Sequence, residues 1–167
     1  MRITDSEDFD IRYSKIEDMQ VLRQWLKIDG MLHWFPPCDD QELENFVRIW
    51  IGYCRYNASL TATYQNKPVG MSVLFLMPYR KVAHHAMFQI IVDPDHQKKG
   101  VGYALMRNLR HMGKENFRLE SIHAEILDVN PIISLLQNLG FEEFARQEKY
   151  VKEDGKYYPR ILMESAT

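Results

Sequence analysis

Two groups of residues in this chain have types and spacing that could do chemistry. Glu125 and His123 stand two positions apart in Ile122-His123-Ala124-Glu125-Ile126, where alternation with apolar residues puts both on one face of a strand. A carboxylate and an imidazole so placed can take a proton from a bound group, the imidazole being largely neutral near physiological pH. The plainer reading is an exposed carboxylate paired with a neighbouring arginine. The second group is Val92-Asp93-Pro94-Asp95-His96-Gln97-Lys98-Lys99-Gly100-Val101-Gly102, which leaves an apolar strand and enters an amphipathic helix. Gly100 and Gly102 leave the backbone bare, so its amides can approach an anion such as a pyrophosphate at the positive end of that helix.

Two familiar glycine loops are excluded. A dinucleotide fingerprint needs a third glycine where Leu105 stands, and a Walker loop needs Lys then Ser or Thr after its last glycine. As metal ligands His84, His85 and His123 lack the spacing of a zinc set, so no metal is expected. His84 and His85, adjacent at a strand start, should point to opposite faces, and His33, His96 and His111 read as surface or packing residues.

Gln97-Lys98-Lys99-Gly100-Val101-Gly102 fits the pyrophosphate loop of the GCN5-related N-acetyltransferase (GNAT) family at every fixed position, and Asn130 to Gly140-Phe141 supplies a second family landmark. The chain therefore resembles that family. Its cofactor half, through Ile90 to Asp95 and Glu125 five residues before Asn130, is most similar to the ribosomal-protein N-terminal alanine acetyltransferases. The resemblance implies an enzyme that moves acetyl from acetyl-CoA to a primary amine, on a protein N-terminus or a small molecule, by direct attack in a ternary complex. It implies splayed fourth and fifth strands, with the backbone of Ile90, Ile91 and Val92 along the pantetheine arm. The amides of Gln97, Lys98, Lys99, Gly100, Val101 and Gly102 would hold the pyrophosphate. Glu125 would be the general base with His123 assisting, and Asn130 would contact the cofactor or a catalytic water besides capping a helix.

One departure stands out. Many members carry a Tyr four residues before the glycine of Gly-Phe, to protonate the leaving thiolate, and here that position is Leu136. Tyr150, Tyr157 or water would have to substitute, or the thiolate would leave unprotonated. The alternative reading is a non-catalytic or weakly catalytic CoA-binding regulatory module.

These residues need a scaffold, and the remaining pattern provides one. Phe9, Ile11 and Tyr13 alternate as a first strand. Ser14 and Glu17 form a capping box before a helix carrying Leu22, Trp25 and Leu26. The segment Met31 to Cys38 is too proline-bound for a helix, and its Trp34 and Phe35 are candidate substrate-side residues, whereas Trp25 and Trp50 lie on helix stripes. Asp39 or Asp40 caps a second helix. Leu60–Tyr64 and Val69–Leu76 form a hairpin around Gln65-Asn66-Lys67-Pro68, and the glycine-loop helix carries Val101, Leu105, Leu109 and Met112. Then follow the His123 strand, a helix opened by Pro131, and a hairpin on Asp154-Gly155. The expected fold is α/β (α+β): a mixed, mostly antiparallel sheet of about seven strands with about four helices.

At 167 residues, with 46% hydrophobic and 26% charged residues, the chain suits one globular domain over 1–167. A net charge of -2 argues against a nucleic-acid partner, Arg110, Lys114 and Arg118 reading as a solvated helix face. Met1 to Asp8 carry no apolar core or processing site, and no run reaches a membrane span, so a cytoplasmic protein with no membrane partner is expected, as a monomer or homodimer. Cys38 and Cys54 read as free thiols.

Overall fold

The computed structural model describes residues 9–167, so the Met1 to Asp8 stretch lies outside the described residues. The elements run β1 (Asp10–Tyr13), α1 (Met19–Leu26), α2 (Asp40–Gly52), β2 (Ser59–Tyr64), β3 (Lys67–Leu76), β4 (His85–Val92), α3 (Val101–Phe117), β5 (Ser121–Leu127), α4 (Ile132–Asn138), β6 (Glu142–Glu153) and β7 (Lys156–Ala166). This is the expected order. The strands form one seven-stranded sheet in the order β1-β2-β3-β4-β5-β7-β6. Every neighbouring pair is antiparallel except β4 and β5. That exception follows from the crossover: a helix, α3, carries the chain from the end of β4 back to the start of β5.

β4 and β5 pair over a short distance only. Their register covers His85↔Ser121, Ala86↔Ile122 and Met87↔His123. From Phe88 and Ala124 onward the strands diverge, while β4 keeps its full ladder with β3 to Val92 and β5 keeps its ladder with β7 to Leu127. The sheet is thus split by a wedge, as the resemblance implied.

Apolar residues from both faces close the two cores. Ala86, Phe88 and Ile90 of β4 and Ile122, Ala124 and Ile126 of β5 pack with Val101, Leu105, Met106 and Leu109 of α3 and Leu136 of α4. On the other face Ile91, Met71 and Val73 pack with Leu22, Trp25 and Leu26 of α1 and Leu43, Val47 and Trp50 of α2. Both helix-stripe tryptophans are therefore core residues.

Three expectations shift locally. Ser14 is not a cap but a buried residue, its hydroxyl hydrogen-bonded to those of Ser59 (2.9 Å) and Thr61 (2.8 Å). Asp18 instead accepts the Lys15 N–H at 2.8 Å, opening a short 3-10 turn before α1. The first hairpin turn is only Gln65-Asn66, both with positive φ, so Lys67 and Pro68 belong to β3. A bulge between Ala62 and Thr63 meets the proline that cannot donate to the ladder. Arg110 is no solvated charge: it donates to the carbonyls of Leu139 (2.9 Å) and Ala166 (3.3 Å) and to Ser165 Oγ, and lies over Phe141. It ties α3 to the end of α4 and to β7.

Candidate active site

The glycine loop follows directly from local chemistry. Asp93 ends β4, its N–H on the Val69 carbonyl at 2.9 Å, and its side chain accepts from the Asp95 N–H at 3.1 Å. Lys98 and Gly100 then take positive φ (60° and 94°), and α3 begins at Val101. The first backbone N–H here to find an acceptor is that of Ala104, on Gly100 O at 3.0 Å. Those of Gln97 to Tyr103 have none among the described residues. A helix N-terminus with such a row of open donors favours an anion.

The glycines are required for different reasons. Gly100 needs none of its space but holds a backbone angle that side chains resist. At Gly102 a Cβ would come within 2.9 Å of Leu135 Cδ2, so the bare position lets α3 start close against α4. Lys99 turns back to the loop, its Nζ donating to Asp95 O at 2.9 Å. Gln97 reaches the carbonyl of Val92 at 3.4 Å.

From this loop a cavity of about 540 Å³ runs to the wedge. Its walls are Ile90, Ile91 and Val92 of β4, Gln97, Lys98, Gly100, Gly102 and Tyr103 of the loop and α3, Asn130 to Ile132 and Leu135, and Ile28 to Met31 with Trp34 and Phe35. Nearly all the expected cofactor residues meet here, although Lys99 and Val101 are not in the wall. A smaller hollow of about 30 Å³ continues between the strands, lined by Gln89, Ala124, Glu125, Asn130, Leu136, Trp34 and Phe35 among others. Asn130 does two things: its Oδ1 caps α4 by accepting the Ile132 N–H at 3.0 Å, and it borders both spaces.

Glu125 sits in the wall of the hollow, and it is also ion-paired: Arg160 Nη1 donates to its Oε2 at 2.6 Å. Arg160 is held in turn by Gln147 Oε1 (3.1 Å) and lies 3.7 Å over the ring of Tyr150. His123 is two residues deeper, where β4 and β5 still pair, and lines neither space. Burial, with a smaller contribution from His85, pushes its imidazole pKa down against the opposing pull of Glu125 and Glu164, so it is neutral at pH 7. The expected opposition of His84 and His85 fails. His84 precedes the strand, alternation does not reach it, and the two rings meet edge to face at 5.0 Å. His85 in turn lies 5.5 Å from His123.

The wall formed by Trp34 and Phe35 is anchored by a distant strand pair. Leu32–Trp34 form a 3-10 turn whose His33 pairs with Glu153 at 2.7 Å and packs edgewise on Tyr158 and Trp34. Residues separated by 120 positions are thereby joined. Sequence reasoning missed His33, Glu153, Tyr158 and Arg160, because their positions depend on which strands pair with β5 and on how the last hairpin folds back. Tyr150 and Tyr157 border neither space, and Leu136 is fully buried. None of the three offers a proton at the hollow.

Comparison with known proteins agrees with this geometry. The Acetyltransferase (GNAT) family matches residues 19–141, and the chain belongs to it. It is similar to the L-amino acid N-acetyltransferase AaaT of Escherichia coli K12, 29% identical over 105 residues, which are 62% of this chain and 65% of that relative, just under two thirds of its length. Among solved structures, the ribosomal-protein-alanine N-acetyltransferase of Brucella melitensis superposes with a TM-score of 0.80 at 21% identity, over 95% of this chain and 99% of that one. The yncA protein of Salmonella typhimurium, solved with its cofactor acetyl-CoA, gives 0.79 at 18% identity, over 95% and 94%. At such identities the likeness establishes the fold. No helix of the described residues is long and apolar enough to cross a membrane.

Proposed function

We propose that the chain transfers the acetyl group of acetyl-CoA to a primary amine by direct attack, with Glu125 as general base. The observation that carries this reading is the continuity of the cleft: it runs from open amides at Gly100 and Gly102, past the divided β4 edge, to a carboxylate at Glu125. From Phe88 to Val92 β4 has no β5 partner, so its backbone can pair with an extended arm as with an added strand. The diphosphate sits on the amides of Gln97 to Gly102.

At the far end the amine arrives protonated. Glu125, directly or through a water, takes the proton; the nitrogen lone pair attacks the thioester carbonyl, the carbon–sulfur bond breaks, and the thiolate departs. With Leu136 apolar and buried, the proton reaches sulfur from water, or the thiolate leaves as the anion, which a thiol pKa of about 8.5 allows. Neutral His123 stands behind Glu125 as a secondary proton acceptor.

Steady-state acetylation of an amine panel, alongside calorimetric titration with CoA, tests this. Glu125→Gln should leave CoA affinity unchanged and slow transfer. CoA binding without transfer to any amine would instead favour a regulatory module, the reading for which Leu136 speaks.

A further inference from the structure

Resting on that reading, we infer that the acceptor is a free α-amino acid, whose carboxylate is taken by Arg160 while its ammonium faces Glu125. Glu125 lines the hollow between β4 and β5, and Arg160, on the neighbouring strand β7, donates from Nη1 to its Oε2 at 2.6 Å. An α-amino acid is a zwitterion whose opposite charges lie a few ångströms apart. It can replace the pair charge for charge: Glu125 gains the ammonium, Arg160 gains the carboxylate, and neither is left without a partner.

A monoamine or a protein N-terminus cannot do this. Its ammonium draws Glu125 away from Arg160, and where the amino acid carries a carboxylate a peptide carries a neutral amide. The guanidinium, with only 20% of its side chain exposed, would lose its counter-charge. Leaving a partly buried charge unmatched is the costly outcome, and it is what gives a site built for a charged group its selectivity.

Arg160 is built to be a fixed receptor. Tyr150 stacks under its plane at 3.7 Å, Gln147 accepts from Nε at 3.1 Å, and Nη2 has no hydrogen-bond partner among the described residues. The fork therefore stays oriented when Glu125 is drawn off, and it presents the parallel N–H groups that a carboxylate takes in bidentate fashion. The indole of Trp34 and the ring of Phe35 line both this hollow and the 540 Å³ cavity beside it, and on the cavity side they give an amino-acid side chain an apolar wall.

The test compares free L-leucine and L-phenylalanine with leucinamide, phenylalaninamide and a hexapeptide beginning with Leu, using acetyl-CoA and the full chain. The wild type should favour each free acid over its amide and over the peptide by at least about 100-fold in kcat/KM. Arg160→Gln should erase that preference through KM for the acid, leaving the amides within about threefold, and Arg160→Lys should restore part of it, since charge returns without the fork. Glu125→Gln should lower kcat on acids and amides alike. Equal wild-type rates on acid and amide, or a loss in Arg160→Gln that is the same for both, overturns the amino-acid assignment while leaving the acetyltransferase reading intact. Absence of transfer to these acceptors and to the amine panel alike overturns both. The wild-type ratio needs no variant, so a poorly folding Arg160→Gln does not blunt the test.

Discussion

The two ends of the cleft are made of different material. The end proposed for the coenzyme is one unbroken stretch, Gln97 to Gly102, whose working groups are backbone amides and whose side chains matter chiefly where they are absent. The end proposed for the acceptor has no such stretch: Trp34 comes from the α1–α2 connection, Glu125 from β5, Gln147 and Tyr150 from β6, and Arg160 from β7. A diphosphate is the same in every acetyl-CoA, and a backbone cradle fixed by two glycines serves it. Acceptors differ, and a surface of side chains from four segments can change one residue at a time without disturbing the cradle.

If the division is real, damage at one end should leave the other intact. The largest effect falls on Glu125→Gln: the rate should drop by about 10²–10⁴ at neutral pH, while CoA titrates with unchanged affinity. The deficit should narrow at alkaline pH, where the amine is already free. An equal deficit across the pH range would mean that Glu125 acts by charge pairing with Arg160 and not as a base.

Gly100→Val is the mirror experiment. A β-branched residue at φ 94° stores strain on the order of 1–3 kcal/mol, and the loop relieves it by moving its amides. Affinity for CoA should fall by about tenfold to a hundredfold, the same energy read as binding. The melting temperature should change little, because the position lies at a surface turn. Unchanged affinity in a folded variant would remove the loop from the site.

The same division explains what could be read in the sequence. The loop's form is legible because it is local: strand, Asp-Pro stop, glycines and helix stripe are consecutive, and each has a short-range signature. Element order and the Asp154-Gly155 turn are legible for that reason, and so is the strand face that carries Glu125, because alternation within one strand reveals it. Arg160 is not, since its meaning lies in the register Leu127↔Arg160, a pairing between strands 33 positions apart in number that no local pattern encodes. His33 was set aside for the same cause, its partner Glu153 being on a distant hairpin. Arg110 reads as solvated because helix periodicity reports a face and not what other segments bring to it.

A smaller and opposite kind of coupling appears in acid. Burial alone would raise the Asp18 carboxyl, but hydrogen bonds from Arg12, the Lys15 N–H and Thr61 outweigh it and hold its pKa below the ordinary value. Its contribution is complete above the unfolded pKa of about 3.9 and is lost as pH falls through the folded value. His123, also depressed, favours folding fully above about 6.5 and loses that support as pH falls through its own folded value. Acid melting should therefore begin with His123 and deepen with Asp18. In a pH series of melting temperatures His123→Gln should flatten the upper part of the fall. Asp18→Asn should flatten the lower part while costing about 1–3 kcal/mol at neutral pH, because Arg12 loses its partner. Parallel curves for wild type and both variants would refute the assignment.

The link between His33 and Glu153 gives the finest probe of the comparison. His33 and Glu153 are 30% and 42% exposed at the side chain, and a polar contact in that setting contributes about 0–1 kcal/mol. Its removal in Glu153→Gln should hardly move the melting temperature. It does, however, fasten the Leu32–Trp34 turn to the last hairpin, and Trp34 borders the hollow that Glu125 lines. Loosening that turn spreads the position of a wall that the hollow shares with the larger cavity, and leaves the amides of Gln97 to Gly102, held by their own loop, in place. The expected result is an acceptor KM raised less than about fivefold, the factor that up to ~1 kcal/mol allows, with kcat and CoA affinity unchanged. A change in CoA affinity of the same size would mean that the two ends move together, and the division drawn here between a backbone cradle and a side-chain mouth would not hold.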